Sequence, residues 1–337
     1  MSVSRRFLGL IVLSVQLSFC ACSGAPDGRK ESAVNGQYFL VSVNIQIPYW
    51  QMVGAGFTKA ASELQVNANL VGPDTYDPKA EQQEFRRVVQ LRPAGILVSP
   101  ADPDLMKSDI DAAIASGIPV ITVDADSPRS KRLSFIGTDN REAGRMLGEF
   151  IGSLLRGAGS IVIFTMPGQE NLDERFRGYM EILSGYPHTM QRVVDIKGDP
   201  RVAFDEAEKI LKKPGSKVDA FACLEALACK EVAKALSNGG VRGKTVIAMD
   251  ADPETLDWIR KGLIQGTIAQ RPFTMGVIGL KMLEDLHRHR PGSLDVAWSK
   301  DPLSPIPSFV NTGVIWVDKQ NVDAFIQAQE PRKRPGD

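Results

Sequence analysis

Residues 245–270, TVIAMDADPETLDWIRKGLIQGTIAQ, contain a complete strand–helix–strand unit. The apolar run at 245–249 is short and begins with β-branched residues, which is typical of a buried strand. Residues 253–261 then have the amphipathic pattern of a helix, and 264–270 form a second strand-like run. Two strands joined by a helix lie parallel in one sheet, because the crossover returns the chain to the end where the first strand began.

The same alternation extends along most of the chain. Short apolar runs predict strands at 38–43, 66–71, 95–99, 118–123, 160–165, 190–196 and 218–222. Segments of helical period predict helices at 51–64, 78–91, 105–116, 140–155, 173–183, 203–211, 225–236 and 274–287. The pattern restarts after Asn140, so we expect two series of about five strands each. The predicted fold class is α/β, with two doubly wound parallel-sheet lobes.

The first 22 residues have the organisation of a signal peptide. Two arginines precede a 13-residue apolar core at 7–19, which is shorter than the roughly 20 residues of a membrane-spanning helix. The sequence LSFCACSG at 17–24 resembles a bacterial lipoprotein cleavage box, and Cys22 after the small Ala21 is the predicted lipidation site. The alternative is an ordinary secretory peptide with incidental cysteines. Both interpretations place the mature protein in the periplasm or at the extracytoplasmic face of the membrane.

Composition indicates a two-domain body between flexible ends, in a chain whose positive and negative charges balance. The chain has 40 basic and 40 acidic residues, so no net charge favours nucleic acid or an anionic membrane. About 300 mature residues are enough for two domains of ordinary size. Residues 23–36 are small and polar and predict a flexible tether, and 329–337 predict a frayed tail.

Two cysteines remain outside the signal region, Cys223 and Cys229. On a single helix they would lie about 9 Å apart along the axis, which exceeds the reach of a disulfide. We therefore expect buried free thiols. The chain has no Cys/His spacing typical of a metal site, so we expect no metal and no cofactor.

Polar residues at the ends of the predicted strands are the first candidates for a binding site, because ligands of open parallel sheets bind beyond the carboxyl ends of the strands. The ends of the predicted strands carry Ser99, Asp124, Asp250 and Gln270, among others. Carboxylates accept hydrogen bonds from hydroxyl groups, and aromatic rings cover apolar C–H faces, so the set suits a polyol. The alternative role of a strand-end Asp is to cap the next helix. We favour capping for Asp102, Asp104 and Asp252, and ligand binding for Asp124 and Asp250.

Five segments together resemble the periplasmic sugar-binding proteins of the ribose-binding type. They are IPYWQMVGAGF from residue 47, PVITVDAD from 119, FIGTDNREAGRMLGEFI from 135, VIAMDADPE from 246 and GTIAQRPFTMG from 266. The resemblance covers residues 38–324 and implies a three-segment hinge, with crossings near 138–140, 270–272 and 308–313. The implied lobes are 37–138 plus 271–308 and 139–270 plus 309–328.

The resemblance also implies roles for individual residues. Tyr49 and Trp50 occupy the positions whose rings sandwich the sugar. Asp124 stands where the family has an Asp that binds sugar hydroxyls. Ser99 stands at a family Asn and Thr138 at a family Ser. Two further residues match the family outright, namely Asp250 and Gln270.

Several positions depart from the family pattern. Ala125 replaces a ligand Arg, Asp173 stands where a second ligand Arg is expected, and Leu224–Glu225 replaces an Asn–Asp pair. Arg175 lies two residues from Asp173, which turns a helical side chain by about 200°. Near the start, Ile47 replaces a ligand Asn, for which Gln46 offers a substitute. We therefore expect a pocket with carboxylates but without guanidinium groups, in which Asp173 contacts the ligand. Such a pocket leaves open an amino sugar, a deoxy sugar or a cationic solute beside a neutral sugar.

The resemblance implies the substrate-binding protein of an ABC transporter, a monomer that closes on a monosaccharide and docks on a membrane permease. We expect no enzymatic activity, because the chain has no G-x-S-x-G elbow, no P-loop and no G-x-G-x-x-G after its first strand. A transcription regulator would need an N-terminal helix-turn-helix, where this chain has a signal peptide and tether. A sensory role, with docking on a receptor kinase or chemoreceptor, remains open.

Overall fold

The computed structural model describes residues 36–186, 188–290, 292–294 and 298–329. The predicted signal peptide, the lipidation site Cys22, most of the tether and nearly all of the tail lie outside the described residues. Among the described residues, no helix is both long enough and apolar enough to cross a bilayer.

The described residues form two six-stranded sheets, one in each lobe, which confirms the predicted fold class. The first sheet has the order β11-β5-β4-β3-β1-β2 and is parallel throughout. Its strands are β1 (Gln37–Val41), β2 (Asn67–Val71), β3 (Gly95–Val98), β4 (Val120–Val123), β5 (Phe135–Gly137) and β11 (Phe309–Asn311).

The second sheet repeats this order as β12-β10-β9-β8-β6-β7. Its strands are β6 (Ala158–Thr165), β7 (His188–Asp195), β8 (Ala220–Cys223), β9 (Thr245–Met249), β10 (Gly266–Ala269) and β12 (Ile315–Asp318). Only the edge strand β12 is antiparallel to its neighbour. Its direction follows from the connection: β11 runs toward the lobe boundary, and after three residues β12 runs away from it.

Helices cover the sheets. They are α1 (Pro48–Leu64), α2 (Pro78–Gln90), α3 (Pro103–Ala115), α4 (Asn140–Leu154), α5 (Glu170–Leu183), α6 (Pro200–Lys212), α7 (Ala228–Asn238), α8 (Pro253–Arg260), α9 (Pro272–Arg288) and α10 (Val322–Gln329). In the first lobe, α1 packs against α9, where the carbonyl groups of Val53 and Phe273 leave no room for a side chain on Gly276 and Gly56. The segment after the second crossing therefore returns to the first lobe.

Local capping chemistry starts several of these helices. Proline occupies the first turn of α3 and α8, where its missing N–H costs nothing. The side chain of Asp102 accepts hydrogen bonds from the first turn of α3, and Asp252 does the same for α8, as predicted. Asp104 differs from its prediction, because it lies inside the first turn of α3 and pairs with Arg129.

Two features of the fold correct the expectations. Strand β11 pairs with β5 of the first sheet, so the third crossing follows Asn311, later than the boundary expected between 308 and 309. The thiols of Cys223 and Cys229 are free and buried as predicted, but they are not on one helix. Cys223 ends β8 and Cys229 belongs to α7, which begins at Ala228 and not at 225.

Candidate functional site

A cleft of about 620 Å³, part of it open to solvent, lies between the lobes beyond the carboxyl ends of the strands. Six of the eight residues expected at the site line it: Tyr49, Trp50, Ser99, Asp124, Asp250 and Gln270. Its apolar lining includes Val43, Ile47, Met166, Leu172 and Leu227. The lining combines a few polar groups with apolar side chains, as in sites for small polar molecules.

Tyr49 and Trp50 occupy the first turn of α1 at the edge of the cleft. Their ring centroids are 5.3 Å apart and their planes meet at 85°. Trp50 is only 4% exposed and packs in the core of the first lobe. The two rings therefore do not form the parallel walls that the resemblance implies. The Tyr49 hydroxyl instead donates a hydrogen bond of 2.6 Å to Oδ1 of Asp124.

Asp124 directly follows β4 and is held by both lobes. Besides the bond from Tyr49, its Oδ2 accepts a hydrogen bond of 3.2 Å from Nδ2 of Asn171, which lies in α5 of the second lobe. Ser99 follows the neighbouring strand β3 and is buried in the same lining. The first sheet therefore places a carboxylate and a hydroxyl at the cleft, at the strand ends where the sequence predicted them.

Asp250 occupies the corresponding position after β9. Its Oδ1 accepts a hydrogen bond of 2.9 Å from Nε2 of Gln270, and Oε1 of Gln270 accepts one of 2.6 Å from the Thr138 hydroxyl. Thr138 itself is not part of the cleft lining; it lies at the first crossing between the lobes. The structure therefore brings Asp250 and Gln270 to the cleft, with Thr138 behind Gln270 as its support.

Both aspartates have left-handed backbones, with φ of 63° at Asp124 and 69° at Asp250. Residues other than glycine rarely adopt this conformation, and Asp tolerates it better than most. In each case the backbone N–H bonds the next strand, to Ile136 at 3.0 Å and to Ile268 at 2.9 Å. The same local strain at two equivalent strand ends is typical of positions that present a side chain to a site.

Arg175 overturns the expectation of a pocket without guanidinium groups. It lies in α5, lines the cleft and is 1% exposed. Its guanidinium donates to the carbonyl of Leu224 and, over 2.6 Å, to Oδ1 of Asn140. The α5 helix therefore presents the Arg175 face to the cleft.

Asp173 lies on another face of α5 and is not part of the cleft lining. Its partly exposed carboxylate accepts hydrogen bonds from the N–H of Gly168, at 3.2 and 3.3 Å. The structure therefore does not bring Asp173 together with the other candidates. The rotation of about 200° between positions 173 and 175 is real, but it is Arg175 that faces inward.

Sequence reasoning missed three polar lining residues: Tyr76, Gln169 and Asn171. Gln169 and Asn171 precede the predicted start of α5 at 173, whereas the helix begins at Glu170, so the polar residues looked like an ordinary loop. Asn44 also lines the cleft; the strand-end rule points to it after β1, although it is not among the eight residues expected at the site. Gln46 does not line the cleft, because its side chain turns to Asp74 and bonds Oδ1 at 2.8 Å.

Glu225 lines the cleft from the loop that enters α7. Its carboxylate accepts hydrogen bonds from the N–H groups of Leu227 at 2.5 Å and Ala228 at 2.9 Å. Both acceptor oxygens are therefore occupied by the helix start, which is a capping role. Glu225 contributes charge to the cleft more than free acceptor capacity.

Burial controls the ionisation of the cleft. Loss of water raises the pKa of Asp250 to about 6 and that of Glu225 to about 7, although Arg175 lowers both. Burial likewise raises the pKa of Asp124, against the hydrogen bond from Tyr49 and the charge of Arg175. The Tyr49 pKa lies well above its usual value, because the ring is buried and faces Asp124, so its hydroxyl stays a donor. Asp250 and Glu225 therefore bind a proton closer to neutral pH than ordinary carboxylates do.

Two buried polar atoms of cleft-lining residues have no hydrogen-bond partner among the described residues. They are Oδ1 of Asn44, an acceptor, and Nε of Arg175, a donor. Buried polar atoms in folded proteins are nearly always paired. Other buried polar atoms away from the cleft also lack a partner among the described residues, so these two atoms do not by themselves indicate a ligand. The described residues contain no group of three or more His, Cys, Asp and Glu side chains that could hold a metal ion.

Comparison with known sequences gives a consistent result. The model of the periplasmic binding protein domain matches residues 38–290. The ribose import binding protein of Bacillus subtilis is 22% identical over 289 residues, which cover 82% of this chain and 92% of that protein. The D-allose-binding periplasmic protein of Escherichia coli is 24% identical over 272 residues, covering 75% of this chain and 85% of that protein.

Solved structures are similar over nearly their whole length. An arabinose-binding protein from Geobacillus stearothermophilus superposes with a TM-score of 0.70 at 30% identity, covering 86% of this chain and 99% of that one. An ABC transporter solute-binding protein from Burkholderia graminis, solved with D-arabinose, gives 0.76 at 26% identity, covering 89% and 98%. The extent of the domain match and of these superpositions shows that the chain belongs to the periplasmic binding protein domain family.

Proposed function

We propose that this protein is the solute-binding component of an ABC transporter and that it captures a neutral monosaccharide between its two lobes. The observation that carries the proposal is the meeting of Asp124 and Asp250, one from each lobe, with the guanidinium of Arg175 in one buried cleft. A sugar hydroxyl both donates and accepts hydrogen bonds. It can therefore bond the carboxylates as a donor and the guanidinium as an acceptor.

Charge balance favours a neutral sugar over an amino sugar or another cationic solute. Arg175 already provides the positive partner of the carboxylates, and burial raises the pKa of Asp250 and Glu225 toward neutrality. A cationic ligand would have to lie beside a buried guanidinium, which costs free energy. The relatives named for ribose, allose and arabinose support the same substrate class.

Hinge closure is the proposed means of capture. Three chain segments cross between the lobes, and two hydrogen bonds already join the lobes at the cleft, from Asn171 to Asp124 and from Gln169 to Tyr76. A sugar that bonds residues of both lobes adds binding free energy only in the closed form, so it shifts the population toward that form. The closed body would then dock on a membrane permease, anchored by a lipid on Cys22.

The proposed ligand contacts comprise the six cleft-lining candidates and Arg175. In this proposal Thr138 does not contact the ligand itself. Its hydroxyl donates a hydrogen bond to Gln270 and so fixes the orientation of that amide. We propose a structural role for Asp173, which closes the turn before α5 through Gly168. Tyr49 covers one side of the ligand while its hydroxyl holds Asp124.

A thermal-shift screen of residues 23–337 tests the proposal. The panel contains D-ribose, D-allose, both enantiomers of arabinose, glucosamine and putrescine. A ligand at 100 times its dissociation constant stabilises the folded state by about 2.7 kcal/mol, which raises the melting temperature by roughly 5–10 °C. We expect such a shift from at least one neutral sugar and none from the amines. A shift from amines alone would refute the neutral-sugar assignment.

Arg175→Met provides the residue-level test, with Arg177→Met as the matched control. Arg177 lies on the exposed side of the same helix and pairs with Glu174. We expect the first variant to lose the sugar-induced shift and the control to keep it. Equal shifts in both variants would show that the guanidinium does not contact the sugar.

A further inference from the structure

Tyr76 joins the two lobes from a loop outside the five segments that carry the family resemblance. The loop connects β2 to α2 in the first lobe, and its tyrosine lines the edge of the cleft. The phenol oxygen accepts a hydrogen bond of 3.0 Å from Nε2 of Gln169, which precedes α5 in the second lobe. One side chain of the first lobe is therefore bonded directly to the second.

The ring of Tyr76 also lies against the backbone of Gly198, in the second-lobe loop between β7 and α6. A Cβ atom added at Gly198 would lie 2.5 Å from Cγ and 2.7 Å from Cβ of Tyr76. Side-chain atoms do not approach one another so closely, so only glycine permits this contact. Gly198 has in addition a φ of 75°, which glycine adopts without strain.

The surroundings of the phenol are consistent with a neutral, embedded side chain. Burial raises the pKa of Tyr76 to about 12, although the hydrogen bond from Gln169 lowers it. The hydroxyl therefore stays protonated at physiological pH. The contact combines a hydrogen bond and ring packing between two loops, and both are lost when the lobes separate.

We infer that Tyr76 is a positioning residue for ligand capture, which holds the closed cleft by packing on Gly198 and accepting a hydrogen bond from Gln169. The inference rests on the proposed function, because the contact is useful only if the lobes close on a solute. Tyr76 contributes to affinity through the closed form, so its loss increases the rate of ligand release more than it slows binding.

Gly198→Ala tests the close approach, and Gly215→Ala is its matched control. Gly215 lies in the same lobe, has a φ of 76° and would have nothing within 4 Å of an added Cβ. Both variants carry the same backbone strain, but only the first collides with Tyr76. We expect Gly198→Ala to raise the dissociation constant of the bound sugar about tenfold relative to the control, which corresponds to about 1.4 kcal/mol.

A double-variant cycle separates the contact from general damage. In a Tyr76→Gly background both the ring and Cβ of residue 76 are absent, so Gly198→Ala should raise the dissociation constant no more than Gly215→Ala does. Tyr76→Phe keeps the packing and removes the phenol oxygen, so it should show a smaller loss than Tyr76→Ala. Additive effects of the Tyr76 and Gly198 changes would overturn the inference.

Cross-linking tests the contact without knowledge of the ligand. The Y76C/G198C pair would place two Cβ atoms 2.7 Å apart, so the loops need to separate by only about 1 Å to reach the Cβ–Cβ distance of a disulfide. Y76C/G215C is the control. The protein, as residues 23–337, is oxidised with the disulfide form of glutathione, which accepts the two electrons and two protons of the thiols. Peptide mass spectrometry then measures the intramolecular cross-link with and without each sugar of the panel.

Different results would refute the role of Tyr76 and the proposed sugar-binding function. We expect the 76–198 cross-link to form, to form faster with the bound sugar, and to be absent from the control pair. A sugar that binds while the 76–198 pair never cross-links would overturn the role of Tyr76 and leave the proposed function intact. A cross-link that forms readily while no sugar binds would support the lobe contact and refute the proposed function.

Discussion

Each lobe holds an aspartate in the same left-handed backbone conformation at the end of a strand, but the two carboxylates have different hydrogen-bond partners. In equivalent strand positions, β4 and β9 end in Asp124 and Asp250, both left-handed and both bonded by their N–H to the next strand. The side chains then differ. Asp124 accepts hydrogen bonds at both oxygens, from Tyr49 and Asn171, whereas the described residues supply Asp250 with one bond, at Oδ1 from Gln270. Each oxygen of the first carboxylate therefore already accepts one hydrogen bond, whereas, within the described residues, the second carboxylate keeps one oxygen free for a ligand.

Both strand ends have the sequence Asp-Ala-Asp, and the contacts of the second aspartates differ even more than those of the first. Two residues after Asp124, Asp126 forms a buried ion pair with Arg132, at 2.7 Å to Nε and 2.5 Å to Nη2. Two residues after Asp250, Asp252 caps α8 and pairs with Lys230 at 3.5 Å. The repeated strand-end motif therefore sets the backbone position of each aspartate. The residues around it determine whether its carboxylate forms an ion pair, caps a helix or is free for a ligand.

The largest effect is expected for stability in the first lobe. Asp126→Ala leaves the buried Arg132 without its carboxylate, and such a loss costs about 3–5 kcal/mol of unfolding free energy. Chemical denaturation measures it. The double variant Asp126→Ala/Arg132→Met should recover part of the loss, because the uncompensated charge is gone. A cost near 1 kcal/mol would mean that the two second aspartates are equivalent after all.

Asp250→Asn should have the largest effect on sugar affinity. Asparagine keeps the shape and tolerates the left-handed backbone, but it removes a charged acceptor worth about 1.5–3 kcal/mol. We expect about a hundredfold increase in the dissociation constant by calorimetry. Asp257→Asn, which removes a charge from the surface of the same lobe, is the control. Unchanged affinity would place Asp250 outside the ligand contacts.

Asp124→Asn should weaken binding less, by about tenfold, because the protein already uses both oxygens of this carboxylate. The control is Asp104→Asn, an exposed change in the same lobe. The comparison between the lobes predicts that the loss for Asp250 exceeds the loss for Asp124. The reverse order, by the same calorimetric titration, would contradict the division of roles.

Asp252→Ala should lower stability by about 1 kcal/mol through loss of the helix cap. Its effect on sugar affinity should fall within twofold, since Asp252 is not part of the cleft lining. Thermal unfolding and calorimetry on the same preparation distinguish the two properties. A large loss of affinity with little change in stability would reassign Asp252 to the site.

The smallest expected effect comes from pH. Because the pKa of Asp250 is about 6, lowering the pH from 7.5 to 5.5 protonates this acceptor and weakens sugar binding about fourfold. Its pKa is raised in the folded state, so the ligand-free fold gains stability from this group as the pH falls. The sugar affinity and the contribution of Asp250 to the stability of the free protein should therefore change in opposite directions, which a comparison of the melting temperatures of wild type and Asp250→Asn at the two pH values measures. Asp250→Asn, measured alongside, should remove this part of the pH dependence of affinity.

Local sequence patterns predicted most of the fold and part of the site. The strand–helix alternation and the strand-end positions of Asp124, Asp250 and Gln270 depend on short-range patterns that the chain preserves. The short β5 and the late β11 escaped prediction, because three-residue strands have almost no pattern and pair with partners distant in sequence. Sequence comparison alone could not choose between Asp173 and Arg175, because that choice depends on how α5 is rotated.

The Tyr76 contact lay beyond sequence reasoning for a similar reason. Nothing in the chain marks Tyr76 and Gly198 as neighbours, since they lie in loops of different lobes. The contact forms only where loops of the two lobes meet. Local sequence patterns thus predict which side chains each lobe places at its strand ends. The contacts between the lobes depend on how the lobes pack together, which local patterns do not contain.

Hydrogen exchange with and without bound sugar tests most directly the claim that both lobes hold the ligand. The sugar used is the one that gives the largest thermal shift, and the amides compared are those at 124–126 and 250–252, which follow β4 and β9. The account predicts that the sugar slows exchange at both segments, together with the Gln169–Asn171 turn. Slower exchange in one lobe alone would contradict capture between the lobes.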